Sequence, residues 1–411
     1  MKLGFVNNYY QFGGAETVVR QLHFACRKVH KSFLYVADGK TFPRGLGVVP
    51  MYPRLLCRLD QSRIHAVVQH WVPRHAWTNR SIRKLAHSSL DVIHVHNFHG
   101  IYASVESLAY LSVHKPLVWT FHRFWGITGG CDHPGECTRY LEKCGRCPRV
   151  DEWPICGVDN TAEQLQRKLE YLANAPIHVI APSNHLAQKI VKSPVGKNWQ
   201  VTHIPNGVNP DQFSFYRKHD PAFRGSLGLR ATSIVILIVN RDFRDSLKGY
   251  ETIEAALRGT DPKGVEFVFA GLNSSWAIRQ LPGHFACLDK GYVSSRSKLA
   301  ELYEAGDILL YASPRENFPC VILEAMAAKC CVVSTPTDGV VEQVENGVSG
   351  FIADSFSSRD LGKTLMEAIL SPEKLVMFGN AGRERVQREY TEKMMIESHL
   401  KLYQELARSV K

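Results

Sequence analysis

Short apolar runs of five or six residues alternate with helical patterns along the whole chain. The runs are rich in β-branched and aromatic residues, as buried parallel strands are. In the first half they cover residues 2–6, 32–37, 91–96, 117–121 and 177–181. In the second half they cover residues 234–239, 265–270, 307–312 and 331–335. This alternation predicts an α/β protein with two doubly wound parallel sheets.

The turn-rich stretch HIPNGVNPDQF, residues 203–213, separates the two halves. We therefore expect an N-terminal Rossmann-like domain over 1–203, with a Cys-rich insertion at 126–157. A second Rossmann-like domain is expected over 204–385, and a C-terminal helix over 386–411 that crosses back to the first domain. The two sheets are expected to face each other across a cleft, where the carboxyl ends of the strands would form the active site.

The composition fits a folded soluble protein. Of 411 residues, 45% are hydrophobic and 22% charged, and no run reaches the roughly 18 apolar residues that would span a bilayer. The first residues lack the apolar core of a signal peptide, so we expect a cytoplasmic protein, at most at the cytosolic face of a membrane. A formal charge of +11 suggests an anionic partner. No nucleic-acid recognition motif accompanies this charge, so a nucleic-acid partner is not expected.

The segment ENFPCVILE, residues 316–324, places two carboxylates eight positions apart. Asn317 followed by Pro319 is typical of a helix start with Asn as the N-cap, which puts Glu316 before the helix and Glu324 inside it, about 8 to 10 Å away. Backbone N–H groups and the positive end of the helix dipole would lie between them. This arrangement favours a nucleotide sugar, with one carboxylate at each end of its diphosphate.

These residues resemble the signature of retaining glycosyltransferases with the GT-B fold, in particular glycosyltransferase family 4 (glycosyl transferases group 1). The pair of glutamates is followed by the Ala-rich segment EAMAAK, as in that family. The resemblance covers nearly the whole chain, because further landmarks occur in the family's order. They are FGGAE (12–16), His122, APS (181–183), IPNGVN (204–209), Lys248-Gly249, AGLNS (270–274), GYV (291–293) and TDGVVEQVENGVSGFI (337–352).

The resemblance implies four catalytic side chains. Glu316 would contact the donor sugar and His122 would lie near the reaction centre. Lys248 and Arg241 would neutralise the departing diphosphate. The loop at 239–249 is longer than the family's usual one and also holds Arg244, so the choice of diphosphate arginine stays open. The implied reaction transfers sugar to a glycan or lipid-linked acceptor with retention of configuration and without a catalytic metal.

The resemblance also implies a set of donor-binding residues. Glu324 would hold the ribose of a UDP or GDP donor, and Val293 the base through its backbone. The remaining members are Gly13, Gly14, Arg244, Asn317 and Phe318, which would contact phosphates or sugar hydroxyls. A sugar-nucleotide isomerase or phosphorylase of the same architecture is the alternative enzyme. An inactive nucleotide-sugar-binding protein is the alternative outside enzymes.

Arg123 departs from the family pattern, which commonly has aspartate after the histidine. The substitution reverses a local charge beside His122. It therefore changes either the protonation of that histidine or the acceptor that it faces.

The Cys-rich insertion contains four cysteines with the spacing C-x5-C-x6-C-x2-C. They are Cys131, Cys137, Cys144 and Cys147. Four thiolates at this spacing suit a closed tetrahedral zinc site, so we predict a structural zinc. Free thiols in a compact loop, or two disulfides under oxidising conditions, are the alternatives.

Residues 54–84 combine seven Lys or Arg with one acidic residue and with Trp71 and Trp77. Interleaved basic and aromatic residues on a helix favour peripheral binding to an anionic membrane surface. A solvated basic face on a core helix is the alternative.

Overall fold

The structure is a computed structural model, and it describes residues 1–11, 13–37, 45–51, 74–98 and 103–409, with the side chains of residues 74 and 75 left out of the description. The chain divides into two compact units. The first comprises Met1–Pro205 with Ile396–Lys411, and the second comprises Asn206–Met395.

Each unit contains one parallel sheet. The first sheet consists of β1 (Lys2–Asn7), β2 (Lys31–Val36), β3 (Val48–Pro50), β4 (Val92–Val95), β5 (Leu117–Thr120), β6 (Ile177–Ala181) and β7 (Gln200–His203). Their order is β3-β2-β1-β4-β5-β6-β7. The helices of this part of the chain are α1 (Gly14–Val29), α2 (Arg74–Ala86), α3 (Val105–His114), α4 (Thr161–Leu172) and α5 (Asn184–Lys192). Short 3-10 helices lie at Trp125–Ile127 and Arg139–Leu141.

The second sheet repeats this design. It consists of β8 (Ile234–Asp242), β9 (Val265–Leu272), β10 (Cys287–Asp289), β11 (Ile308–Tyr311), β12 (Cys331–Ser334) and β13 (Gly350–Ile352), in the order β10-β9-β8-β11-β12-β13. The helices after β7 are α6 (Pro221–Ser226), α7 (Tyr250–Arg258), α8 (Ser274–Gln280), α9 (Arg296–Ala305), α10 (Cys320–Ala327), α11 (Asp338–Gln343), α12 (Ser358–Ile369), α13 (Pro372–Glu389) and α14 (Glu392–Arg408). Two 3-10 helices lie at Pro210–Gln212 and Ser246–Lys248.

The central strands form because their side chains are apolar on both faces. All four residues of β4, β5, β11 and β12 are buried, as strands covered by helices on both sides require. Several helices begin at a side-chain cap; the hydroxyl of Ser183, for example, accepts the N–H of Leu186 at the start of α5. The two predicted Rossmann-like parallel sheets are thereby confirmed.

Both strand orders reverse direction at one point, between β1 and β4 in the first sheet and between β8 and β11 in the second. Loops that leave the carboxyl ends of strands at such a switch point form the usual ligand site of an open α/β sheet. The loops after β8 and β11 carry Lys248 and Glu316. The loops after β1 and β4 carry Gly13 and His96.

The apolar runs located every interior strand but missed β3, β7, β10 and β13. These four strands are the edges of the two sheets, and each has only three or four residues. An edge strand needs less apolar sequence because one side is unpaired and often solvated. Within the described residues, no helix combines the length and apolarity that crossing a bilayer requires.

Candidate active site

Glu316 and Lys248 form an ion pair at the switch point of the second sheet. The Nζ atom of Lys248 lies 2.6 Å from Oε1 of Glu316, and the Tyr311 hydroxyl donates to the same oxygen at 2.9 Å. The Glu316 side chain is only 15% exposed and that of Lys248 28%. Burial and the neighbouring Glu316 carboxylate raise the pKa of Tyr311 well above its usual value, so its hydroxyl stays protonated and donates.

The two loops that carry this pair are joined directly. The Ser313 hydroxyl donates to the carbonyl of Leu247 at 2.6 Å. Gly249 follows Lys248 with φ of +68°, a conformation that side chains disfavour, and a Cβ atom there would collide with the carbonyl of Ala312. In the Lys-Gly sequence, the lysine therefore supplies the charge and the glycine allows the backbone conformation that the close approach requires. It holds Lys248 next to the carboxyl end of β11.

The loop between β11 and α10 is held by its carbonyl groups. Asn206 donates to the carbonyl of Phe318, Gln343 to that of Pro319, and Thr337 to that of Ser313, at 2.9, 3.0 and 2.6 Å. Gly339 packs so closely on the carbonyl of Asn317 that a Cβ atom would not fit. Side chains far apart in sequence thus fix this loop from one side.

The predicted N-cap at Asn317 is wrong. Helix α10 begins at Cys320, its N-cap is Pro319, and no side chain caps it. The physical reason is that the contacts to the carbonyls of residues 317–319 hold these residues in a non-helical loop, so the N-cap falls two residues later. Pro319 has no side-chain acceptor to offer the first-turn N–H groups of α10, and N–H groups at a helix start are the ones that bind anions.

Glu324 lies in the second turn of α10, in a different environment from Glu316. Tyr303 donates to its Oε2 atom at 3.0 Å. Burial raises the pKa of Glu324, which Arg296 and the Tyr303 hydrogen bond partly oppose. Glu324 is thus a carboxylate with few protein partners, and hydroxyl groups of a ligand would stabilise its ionised form.

The other donor-side candidates lie at or after the carboxyl ends of β8 and β10 of the same sheet. Arg241, near the end of β8, lies 3.9 Å from Asp245, while Arg244 lies over the Trp276 ring at 5.5 Å. Both arginines are exposed, so the geometry leaves both in reach of a ligand. Val293 follows β10 and is partly buried against the core.

In the first unit, Glu16 organises the loop after β1. Its Oε2 atom accepts the N–H of Gly13 at 2.8 Å, and its Oε1 atom accepts Nδ2 of Asn97 at 2.8 Å and of Asn7 at 3.5 Å. Because the N–H of Gly13 is committed to Glu16, Gly14, with open space beside its Cα, is better placed to approach a ligand. Phe12 of the FGGAE motif lies outside the described residues.

His122 lies two residues after the end of β5 and contacts a second histidine. Its Nε2 atom lies 3.0 Å from Nδ1 of His96, and the rings are nearly parallel, at 21°. Burial, Arg123 and His399 lower the pKa of His122 to about 3, so the ring is neutral at physiological pH. Arg123 itself pairs with the buried Asp132 at 2.5 Å and so attaches the Cys-rich insertion to the histidine loop.

Four of the five cysteines of the insertion line one small cavity of about 20 Å³: Cys131, Cys137, Cys144 and Cys147. Gly129 packs against Cys144, since a Cβ on Gly129 would lie 2.8 Å from Cβ and 2.9 Å from Sγ of Cys144. Within the residues that the structure describes, no three Cys, His, Asp or Glu side chains already stand as a ligand set for a metal. The cysteines are free thiols that converge on one cavity.

Sequence reasoning missed Tyr303, Tyr311, Glu16 and His96. Each of them contacts a predicted site residue. Each also lies in or beside a strand or helix whose sequence pattern is that of the hydrophobic core, so the pattern gave no reason to single it out. Glu16 was visible as part of the FGGAE motif, but only the structure shows that its carboxylate is buried.

Of the basic segment 54–84, residues 54–73 lie outside the described part of the chain. In the remainder, Trp77 of α2 is partly buried, and Arg80, Arg83 and Lys84 are exposed.

Two Rossmann-like parallel sheets, with a lysine and two glutamates at the switch point of the second, define the class of GT-B glycosyltransferases. Two family models match the chain: Glycosyltransferase Family 4 over residues 12–212 and Glycosyl transferases group 1 over residues 220–385. The chain belongs to this glycosyltransferase family, so the predicted family and enzyme class are confirmed, and a sugar-nucleotide isomerase is not supported.

Individual relatives agree with this assignment. The chain is 25% identical over 332 residues to an Escherichia coli K12 protein named for glycosyl transfer in colanic acid biosynthesis, covering 77% of this chain and 76% of that one. It is 24% identical to an alpha-monoglucosyldiacylglycerol synthase of Acholeplasma laidlawii, covering 73% and 71%. Its fold resembles that of Anabaena HepE, solved in complex with UDP and glucose, with a TM-score of 0.70, 17% identity and coverage of 98% and 99%.

Proposed function

We propose that the protein is a retaining glycosyltransferase that moves a sugar from a UDP- or GDP-sugar to a glycan or lipid-linked acceptor in polysaccharide biosynthesis. The observation that carries this proposal is the Lys248–Glu316 pair beside the uncapped start of α10. A cation together with the N–H groups of a helix start suits a diphosphate, and a carboxylate at the same place suits sugar hydroxyls.

The two glutamates divide the donor between them. Glu316, held by Lys248 and Tyr311, is oriented before the donor binds, which suits a residue that positions the reacting sugar. When the diphosphate arrives, Lys248 can turn from Glu316 to the phosphate oxygens and stabilise the charge that develops on them. Glu324 accepts the ribose hydroxyls, which supply the hydrogen bonds that its buried carboxylate needs.

Donor binding and transfer test this division separately. Purified protein is screened by thermal shift against UDP, GDP and their sugars, since a ligand of the native state raises its apparent stability. Glu324→Ala should weaken binding of the free nucleotide, while Glu316→Ala should keep nucleotide affinity and lose transfer. Glu384→Ala, an exposed helical glutamate of the same unit, is the matched control. Unchanged transfer and binding in both folded site variants would contradict the proposal.

If the acceptor is lipid-linked, the protein has to work at a membrane surface. The relative named alpha-monoglucosyldiacylglycerol synthase makes a glycolipid, and the exposed Arg80, Arg83 and Lys84 of α2 give this chain a basic surface. Co-sedimentation with vesicles containing 30–40% anionic lipid tests it against neutral vesicles. Binding to the anionic vesicles that is lost in an Arg80, Arg83 and Lys84 triple-glutamine variant supports peripheral association. Equal recovery with both vesicles contradicts it.

The zinc prediction also continues as a proposal: Cys131, Cys137, Cys144 and Cys147 hold one structural zinc after small rotations of their side chains. The cavity that the four cysteines share supports it, since a closed zinc site needs four ligands around one point. So does the buried Lys168, whose amine donates to the carbonyls of Trp125 and Thr128 among the described residues and whose pKa is lowered by burial to about 7, so that a nearby negative charge would favour its charged form. A zinc tetrathiolate carries two negative charges, which would compensate this cation.

Elemental analysis of protein purified under reducing conditions tests the zinc site. We expect one zinc per chain, lost in Cys144→Ser and retained in Cys156→Ser, which removes an exposed cysteine outside the set of four. The zinc proposal would be wrong if the protein contained less than about a tenth of an equivalent of zinc after growth in zinc-supplemented medium. Disulfides found by mass spectrometry in that protein would then favour the disulfide alternative.

A further inference from the structure

Three histidines of the first unit lie side by side at the carboxyl ends of β4 and β5. His94 and His96 project to the same side because they are two residues apart in extended chain, and their ring centroids are 4.0 Å apart. His96 in turn contacts His122 through the 3.0 Å approach of Nδ1 to Nε2. His96 is fully buried, whereas His122 keeps partial exposure. His96 therefore cannot reach a ligand directly, but it contacts the residue that can.

The contact couples the tautomers of the two rings. Burial and neighbouring positive groups lower the pKa of both His96 and His122, so each ring is neutral and has one N–H and one bare nitrogen. A hydrogen bond between them uses a single proton. If Nδ1 of His96 holds it, Nε2 of His122 is bare and the His122 proton sits on Nδ1. In the reverse arrangement the His96 proton sits on its Nε2.

The buried end of His96 discriminates between these two arrangements. In the described part of the chain, its Nε2 atom has no hydrogen-bond partner. The reverse arrangement would bury an N–H donor without an acceptor, which is rarer in proteins than an acceptor without a donor. The first arrangement leaves only a bare nitrogen there. It is therefore the favoured one.

The outer nitrogen of His122 is accessible. No hydrogen-bond partner is found for its Nδ1 atom among the described residues, and this atom is not one of their buried unpaired nitrogens. Nothing in the first unit as described thus competes with a ligand for it.

We propose that His96 is a positioning residue that donates from Nδ1 to Nε2 of His122 and so fixes the Nδ1–H of His122 as a hydrogen-bond donor for an oxygen of the sugar donor. This inference rests on the proposed function for the identity of the ligand, but the tautomer itself does not. It assigns His122 the role of a neutral donor that orients an oxygen. It excludes a role as general base through Nδ1, since that nitrogen already carries the proton.

Nitrogen NMR of protein labelled with 15N-histidine tests the tautomer without any substrate. Long-range 1H–15N spectra distinguish protonated from bare ring nitrogens, and His122→Gln identifies the signals of His122. We expect a protonated Nδ1 and a bare Nε2 in the wild-type protein at pH 7. A protonated Nε2 with a bare Nδ1 would overturn the proposal, whether or not transfer activity has been found.

Variants of His96 then test its effect on transfer. His96→Leu should lower kcat roughly tenfold, the effect of losing one hydrogen bond of about 1.4 kcal/mol, with nucleotide affinity unchanged. His96→Asn, whose amide can donate from the place of Nδ1, should recover much of this loss. The control is Tyr403→Phe, which removes a hydrogen bond to His94 in the same cluster but does not contact His122. An unchanged kcat in folded His96→Leu, or equal losses in Tyr403→Phe, would refute a positioning role.

Discussion

The Tyr311 hydroxyl offers the sharpest test of how Glu316 is positioned. Tyr311→Phe removes one oxygen and keeps the ring, which is 4% exposed and packed in the core, so the fold should be preserved. The lost interaction is a hydrogen bond to a charged acceptor, for which about 1.5 to 3 kcal/mol is typical. Because Lys248 still contacts the same oxygen and Glu316 is 15% exposed, we expect an effective loss of about 1 to 2 kcal/mol.

This loss should appear in the chemical step. A free-energy difference of about 1 to 2 kcal/mol corresponds to a fall in kcat of about 5- to 30-fold. Affinity for the free nucleotide should not change, because the proposed contacts of Glu316 are with the sugar. Initial-rate kinetics with the identified donor sugar measure kcat, and isothermal titration with the nucleotide measures affinity.

A second tyrosine supplies the matched control for this experiment. Tyr250→Phe also removes a buried hydroxyl in the same unit, one that donates to the carbonyl of Ala277 away from both glutamates. It should cost stability without a specific effect on kcat. If kcat of Tyr311→Phe stays within twofold of wild type, or if nucleotide affinity falls in parallel, the hydrogen bond does not position Glu316 and the reasoning is wrong.

Three other substitutions test the remaining parts of the second unit. Gly249→Ala should lower the free energy of unfolding by about 3 kcal/mol or more, because it combines a left-handed backbone with a collision at the Ala312 carbonyl; an unchanged midpoint in urea would disprove the close approach. Lys248→Ala should weaken nucleotide diphosphate binding about 10- to 100-fold at low salt, less at high salt, while the exposed Lys263→Ala should not. Glu324→Gln should stabilise the free protein above about pH 4. The raised pKa of Glu324 in the folded state means that ionisation of this carboxyl opposes folding, and glutamine cannot ionise. The gain in stability should vanish at lower pH, where the wild-type carboxyl is protonated. Melting curves from pH 3 to 8 would show a constant difference if burial of this carboxylate is harmless.

The sequence predicted the sheets because interior parallel strands need apolar side chains on both faces, and that pattern is visible in a single chain. It predicted the two glutamates because their spacing around a helix start is local. The predicted start of α10 was wrong because contacts from distant parts of the sequence determine where this helix begins. Asn206, Thr337 and Gln343 hold the carbonyls of its preceding loop from positions up to about a hundred residues away.

The supporting residues escaped prediction for a related reason. Tyr311 is the last residue of β11, and its ring fills a core position, so its hydroxyl is a polar atom at the end of an apolar pattern. His96 follows a strand that is buried throughout, where a histidine most often only satisfies its own hydrogen bonds. In both cases the property that matters is which atom of another strand or loop the side chain contacts. Strand pairing determines that contact, and a single sequence does not show it.

The environments of the two glutamates explain why one family motif needs both. Glu316 is paired with a cation and a hydroxyl at a single oxygen, so its charge is stabilised and its orientation set in the protein itself. Glu324 has a raised pKa because burial outweighs the help of Arg296 and Tyr303. A carboxylate whose charge is already satisfied can hold a reacting sugar in place without rearrangement. In the proposed binding mode, a carboxylate with few donors gains most from the two vicinal hydroxyls of a ribose, so the free energy that its burial costs the free protein would be recovered on nucleotide binding.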